Sequence, residues 1–541
     1  MRSSVTALML GASAVLALST AADAQLREAD VLVVYDSRVP DSLNVAEYYA
    51  GSAKVPGGAG NQPGKRPGVR VFNLASSGAP VAAPGNISWT DFVARLRDPI
   101  RAHLAATNTV MQVRCLVTTK GLPHRLLDSD FPTAGDNPGN FIGELNLEDA
   151  TCASVDAELA LLWQDLIAGE NGNAADSKAD GLIINPYWRS ALPITAFSNA
   201  SIKTPKTFTY AAFGPLWSLG GSGATRLTAG DMLLVARLDA PSVADVRAMI
   251  DRAGNIYANV DTATLLLDES DSNAIADGAG NDELDNNNGA WAALRAADDY
   301  ETTRDQITAD GRWLPAMVRY NALAGVGQFF VGPNLAFAGG HGILVTNPVL
   351  LVGTYGANHN GVPVLAAGGS SNTTYALSYN LAPGAIFNTI ESYNGRDFAG
   401  LGQNPWVQQQ QLSAFLAAGG TLGIGNVWEP LADSVPDNQY LVSNFLLGNL
   451  AWGEAAWTSI PALSWMQMVV GDPLARVTRS SEDINADLRL SIDDLYAWEQ
   501  LAPTAPRKDV NRSGTADATD RAHVIRSLRA HERDDLMNRR P

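Results

Sequence analysis

Short apolar runs alternate with amphipathic stretches along most of the chain. Val31–Tyr35 (VLVVY) is a continuous apolar run, closed by Asp36-Ser37 and followed by helical spacing at Leu43, Val45, Ala46 and Tyr49. A run of four to eight apolar residues bounded by turn formers predicts a strand buried on both faces, and spacing of three or four predicts a helix. The same pair of signals recurs. VRVFNL (69–74) precedes a helix opened by Ser88 with Trp89, Phe92, Val93 and Leu96 on one side, and CLVTT (115–119) closes on a loop. A helix over 153–163, the strand MLLVARL (232–238), a helix over 242–253 and the strand TLLLD (264–268) continue the series. From 349 it resumes with VLLVGTY, GAIFNTIES, a helix near 408–417, the Gly-rich strand GGTLGIG and the tail LSWMQMVVGDPL. This alternation predicts an α/β body, doubly wound, with a mainly parallel sheet covered on both faces and binding sites beyond the carboxyl ends of its strands.

The pattern fails in three places. Residues 1–24 carry Arg2, an apolar stretch from Ala7 to Ala17 and Ala22-Asp23-Ala24 before Gln25, which predicts a cleaved secretory signal and an exported, extracellular or periplasmic protein. No later apolar run reaches 18 residues, so no membrane span is expected after cleavage. Residues 268–288 are acidic and rich in Gly and Asn, the composition of a solvated loop. VTRSSE (477–482) lacks large apolar side chains apart from Val477 and predicts a linker between a body over 25–476 and a C-terminal module over 483–541.

Composition narrows the partners. The 541 residues carry 38 Lys+Arg against 56 Asp+Glu, a formal charge of −18, which disfavours nucleic acid and anionic membranes. The segment 481–541 holds ten Lys/Arg and twelve Asp/Glu, so nearly all of that excess belongs to the body. Two cysteines, Cys115 and Cys152, allow at most one disulfide and no four-thiolate zinc site.

After 482 two loops stand in tandem. Asp483, Asn485, Asp487, Ser491 and Asp494 occupy positions 1, 3, 5, 9 and 12 of a twelve-residue frame, and Asp509, Asn511, Ser513, Asp517 and Asp520 repeat it 26 residues later. Position 7, held by Arg489 and Thr515, offers its backbone carbonyl. A hard divalent cation takes six or more oxygens, and this spacing gathers them around one point, so each loop is a candidate Ca2+ site. These residues resemble a type I dockerin, over about 483–530. The resemblance implies ligation of Ca2+ by the residues just named, helices near 491–501 and 518–530, and attachment to a cohesin-like partner. Leu488 stands where the frame expects a turn Gly, which the second loop keeps as Gly514, so the first site is expected to be distorted or weaker.

The body is similar to an uncharacterised family of secreted bacterial proteins, through VLVVYDSRVPDSLNVAEYYA, TKGLPHR (119–125), ASVDAELALLW (153–163), NVWEP and LSWMQMVVGDPL. A strand ending in YGANHNG, then one ending in IESYNG, then a Gly-rich strand and a GDP segment also resemble the order in gingipain-type, caspase-like cysteine peptidases. That resemblance would put a catalytic histidine at His359 and a nucleophile at Ser392, where Ser replaces the Cys that thiolate chemistry requires. A second constellation is Cys152, at the expected start of the 153–163 helix, with His124. Against it stand a Cys115–Cys152 disulfide and two inert core thiols. His341 in GGHG reads as a glycine-loop residue. Lys120, Arg125, Asp156 and Glu158 bind substrate or pair among themselves. There is no G-x-x-x-x-G-K-[ST], H-E-x-x-H or G-x-S-x-G, so nucleotide hydrolysis and zinc proteolysis lack support. Two functions remain: an attached, non-catalytic body, or a peptidase-like or polysaccharide-degrading hydrolase delivered by the module.

Overall fold

The structure, a computed structural model, describes residues 25–57, 62–127, 153–164, 183–206, 226–269, 299–323, 325–356, 363–368, 375–398, 411–428, 430 and 435–538. The expected signal, Cys152, His359 and nearly all of 268–288 lie outside them.

The twelve strands that matter here are β1 (Val31–Tyr35), β2 (Arg70–Asn73), β3 (Cys115–Thr119), β4 (Leu234–Leu238), β5 (Ile256–Ala258), β6 (Thr264–Asp268), β7 (Val318–Asn321), β8 (Val349–Thr354), β9 (Leu381–Thr389), β10 (Leu422–Asn426), β11 (Gln467–Val470) and β12 (Val477–Arg479). Ten of them form one sheet in the order β7-β6-β8-β9-β10-β11-β4-β3-β1-β2. Every residue of β1, β3, β4, β6, β8 and β10 is buried. Strands without a wet side need cover on both faces, which is why they read as unbroken apolar runs. Pairing is parallel from β4 through β3 and β1 to β2, and from β7 through β6, β8 and β9 to β10. β10 and β11 pair antiparallel, and β11 meets β4 at the Val470–Arg237 bridge. The fold is mixed α/β with a large, mostly parallel sheet and helices packed on it, a three-layer arrangement.

Among the described residues the α-helices of six or more residues are α1 (Pro40–Ala50), α2 (Asp98–Ala106), α3 (Val155–Ala160), α4 (Val243–Ala253), α5 (Asp299–Asp310), α6 (Gln411–Ala417), α7 (Trp452–Ser459), α8 (Ile492–Gln500) and α9 (Ala518–Asn538). α4 starts on a reciprocal cap, Ser242 Oγ accepting from the Asp245 amide while Asp245 accepts from the Ser242 amide. α1 packs on α4 and α4 on α6, whereas α3 and α7 lie against β4 and β11. α7 is buried throughout, and the indole N–H groups of Trp452 and Trp457 donate to the carbonyls of Val470 and Val235 at 3.0 and 2.8 Å. Its tryptophans are core with satisfied donors.

The linker expectation is corrected. β12 pairs in parallel with β5, Val477 opposite Ile256, Thr478 opposite Tyr257 and Arg479 opposite Ala258. Arg479 and Glu482 are buried. The polar composition that reads as solvated spacer is a sealed ion pair: Arg479 Nε and Nη2 reach Glu482 Oε1 at 2.8 and 2.5 Å. Beyond it, Ile484, Trp498, Val510, Val524 and Leu528 make a separate small core that joins α8 to α9.

Candidate calcium loops and body residues

Both tandem loops fold by one rule. In the first, Asp483 Oδ1 accepts from the Asp487 amide at 3.1 Å and Oδ2 from the Leu488 amide at 3.0 Å. In the second, Asp509 Oδ1 accepts from the Ser513 amide at 2.9 Å and Oδ2 from the Gly514 amide at 2.8 Å. Position 3 repeats likewise: Asn485 and Asn511 accept from the amides of Asp487 and Ser513. At position 12, Asp494 accepts from the Ile484, Asn485 and Ser491 amides, and Asp520 from those of Asn511 and Asp517. The loop amides therefore turn inward onto the side chains at positions 1, 3 and 12. A carboxylate offers about four lone-pair sites, so acceptor capacity remains for a cation.

The backbone repeats too. Positions 4 and 6 are left-handed in both loops: Ala486 and Leu488 at φ 61° and 64°, Arg512 and Gly514 at 55° and 90°. The expectation that Leu488 distorts the first loop is corrected, because Leu adopts the glycine conformation there. Left-handed backbone costs a non-Gly residue about 1–2 kcal/mol, so the price is strain and not shape. Asp483, Asp494 and Asp520 are buried, while Asn485, Asp487, Arg489, Ser513, Thr515 and Asp517 are exposed. Ser491 is the N-cap of α8, accepting from the Asp493 amide. Among the described residues no group of three or more His, Cys, Asp or Glu side chains converges as a metal centre. Loops of this frame also draw on amide, hydroxyl and backbone oxygens, and the donor set present is of the hard-oxygen kind that suits Ca2+.

The body candidates separate. His124 is buried, its Nε2 lies 2.7 Å from the Arg396 carbonyl and its ring meets Phe398 edge-on. Burial first, then the Arg125 and Arg237 charges, push its pKa well below the ordinary histidine value. The helix expected over 153–163 begins later, with Ala153–Ser154 in a short strand and Ser154 as N-cap, its Oγ accepting from the Ala157 amide. Cys115 is a free thiol sealed in β3, and burial raises its pKa well above the ordinary value. It is an inert core thiol. Ser392 is also buried, after the end of β9. Since His359 and Cys152 lie outside the described residues, neither proposed pair is brought together among those described.

The charged residues near these segments are spent on structure. Arg237 Nη2 meets Asp156 Oδ1 at 2.8 Å with both side chains fully buried, Lys120 meets Asp239 at 3.3 Å and Ser464 donates to Glu158. Arg125 and Arg396 lie over the Trp428 ring at 5.6 and 5.1 Å. His341 sits among glycines with positive φ (Gly339, Gly340 and Gly342), as a glycine-loop residue does.

Contacts between body and module carry no sequence signal. Glu482 Oε1 is shared by Arg479, by His523 Nε2 of α9 at 2.8 Å and by Arg312 Nη1 of the body at 3.6 Å. Arg512 pairs with Asp261, and Tyr257 and Asp483 line one cavity. Only the fold brings 257, 312 and 523 near 482. No family model, no curated protein and no solved structure matches this chain.

Proposed function

We propose that residues 483–520 bind two Ca2+ ions and that the module they build attaches the α/β body to a cohesin-like protein partner outside the cell. One observation carries this reading: the two loops share their inward-turned amides and their left-handed positions residue for residue, although their side chains differ at positions 4, 5 and 6. In the first loop Asp483, Asn485, Asp487, Asp494 and the Arg489 carbonyl would hold the ion, with Ser491 at position 9. In the second, Asp509, Asn511, Ser513, Asp520 and the Thr515 carbonyl would do so, with Asp517 at position 9. Calcium supplies the charge that offsets the crowded carboxylates and so stabilises a unit with a small core of its own. Leu488 in the first loop and Ile492 and Tyr496 on α8 are 57, 42 and 60% exposed, apolar surface that would be offered to a protein partner. For the body we favour a caspase-like scaffold without peptidase activity. In its support, the YGANHNG and IESYNG segments follow the adjacent parallel strands β8 and β9, yet the second carries Ser392, buried, in the nucleophile position.

Calcium titration of the full chain by calorimetry tests the reading. Two ions per chain are expected, with Asp483→Ala and Asp509→Ala each removing one. A chain that takes up no calcium at millimolar concentration refutes it.

A further inference from the structure

Three arginines meet at the amino-terminal edge of the body's sheet. Arg27 precedes β1, Arg70 opens β2 and Arg114 stands directly before β3, and since these three strands pair in parallel their first residues share one edge. A cavity of about 620 Å3 lies there, lined by Arg27, Arg70 and Arg114 and by a single carboxylate, that of Asp30. In a chain whose formal charge is −18, three guanidiniums against one carboxylate reverse the prevailing sign.

The walls are fixed by hydrogen bonds. Arg114 is only 5% exposed, and its Nη1 and Nη2 donate to the carbonyls of Phe197 and Ile194, both at 2.9 Å. Arg70 Nε donates to the Ala29 carbonyl at 3.0 Å and its Nη2 to Gln112 Oε1 at 2.6 Å, while Asn199 Nδ2 donates to the Met111 carbonyl at 3.0 Å. Four chain segments, around 27–30, 70, 111–114 and 195–199, are thereby tied about one hollow. Asp30 is taken up by Arg27, whose Nε and Nη2 reach its two oxygens at 3.0 and 2.9 Å. Arg70 and Arg114 donate to neutral acceptors instead, and burial pushes the Arg114 pKa below the ordinary arginine value against the pull of Asp30. Among the described residues nothing bonds to Arg114 Nε or to the Thr195 hydroxyl, two buried polar atoms of residues that line the cavity. Buried polar atoms are hydrogen-bonded in the great majority of cases, so two unmet ones beside the same hollow point to a ligand in it.

We propose that this hollow is an anion site that takes the phosphate group of a small ligand, with Arg70, Arg114 and the Thr195 hydroxyl as its donors and Arg27 at its rim. A phosphate monoester carries about −1.5 to −2 charges at pH 7 and three strong acceptor oxygens, which suits the two guanidiniums that remain once Asp30 offsets Arg27. A carboxylate brings one charge and two oxygens, and leaves one guanidinium without a counter-charge. Guanidinium forks bind phosphate oxygens through paired, charge-assisted hydrogen bonds. The cavity volume falls among those of small-molecule pockets, and Met111 and Phe197 on its wall give apolar surface for the organic part of such a ligand. The site belongs to the body alone and does not depend on the calcium reading.

The test is calorimetric titration of the full chain with glucose 6-phosphate, inorganic phosphate, succinate and glucose. One glucose 6-phosphate per chain is expected, displaced by inorganic phosphate and weakened as ionic strength rises, with succinate binding more weakly and glucose not at all. A tighter ester marks an organic phosphate as the source of the group, and equal affinities mark free phosphate. Arg70→Gln and Arg114→Met are each expected to weaken binding by about tenfold or more, the loss of a hydrogen bond to a charged group. Arg521→Gln, on α9 of the module, is expected to leave it within about twofold. Arg70 is half-buried at the edge, so its variant keeps the test open if Arg114→Met fails to fold, and its melting curve checks that it is folded. No binding at millimolar phosphate, an affinity that a folded Arg70→Gln chain leaves unchanged, or succinate binding more tightly than either phosphate overturns the proposal.

Discussion

Glu454 sits in the first turn of α7 with no exposed surface, its Oε1 accepting from the Ile194 amide at 3.1 Å and its Oε2 from the Ala451 amide at 3.2 Å. Burial, opposed in part by Arg476 and the amides, pushes its pKa up to about 7 from an ordinary value of 4.5. A carboxyl raised in this way favours folding less once the unfolded chain can ionise. Its penalty is absent below the unfolded value, grows as pH rises through 4.5, and is complete above 7, reaching about 3 kcal/mol. Glu454→Gln should therefore gain melting temperature relative to the parent as pH rises from 5 to 8. Melting curves whose difference stays constant over that interval would show that Glu454 does not titrate there. Leu488 illustrates the opposite limit of reading residues one at a time. Its identity names the missing Gly, but only the fold reveals that Leu adopts the same backbone at φ 64°.

Elements built from apolar runs were legible, and those built from paired charges were not. TLLLD coincides with β6, CLVTT with β3 and VLVVY with β1, because a strand buried on both faces is built mainly of apolar side chains. α4 was marked by the Ser242 cap and by buried Val246, Met249 and Ile250. β12 was illegible, since Thr478 and Arg479 look solvated until a partner strand and Glu482 neutralise them. The same blindness covers Arg237 with Asp156, 81 residues apart along the chain and a sealed pair in the structure. A consequence follows at this scale. A solvated linker is the first place a protease cuts, whereas a paired strand ending in a buried ion pair resists. Limited digestion of the full chain should leave the bonds of 477–482 uncut while exposed turns are nicked. Early release of a fragment beginning within 477–482 would count against the ladder.

For the whole molecule, the large core of the body and the small core of the module meet through Glu482, Arg312, Arg479 and His523. Removing one partner of a buried ion pair costs about 3–5 kcal/mol, because the survivor stays charged without compensation. Differential scanning calorimetry of the parent should show body and module melting in one transition, and Arg479→Ala should split off an earlier one for the module. Two transitions already present in the parent would mean that the cores unfold independently. The candidate chemistry was legible for the module, where ligand spacing along the chain defines the loop, and not for its seat, where Tyr257, Asp261 and Arg312 approach from more than 150 residues away.

The β5–β12 ladder leaves no hinge between the two parts. A module on a flexible leash lets its cargo sweep a volume set by linker length and meet neighbours at an effective concentration that falls as the leash lengthens. Here a partner bound along Leu488, Ile492 and Tyr496 would hold the body as a bracket holds a shelf, at one angle and one distance. Every copy mounted on the same surface would then present the same sheet edge to its surroundings, so that orientation, not reach, is what the proposed attachment would fix.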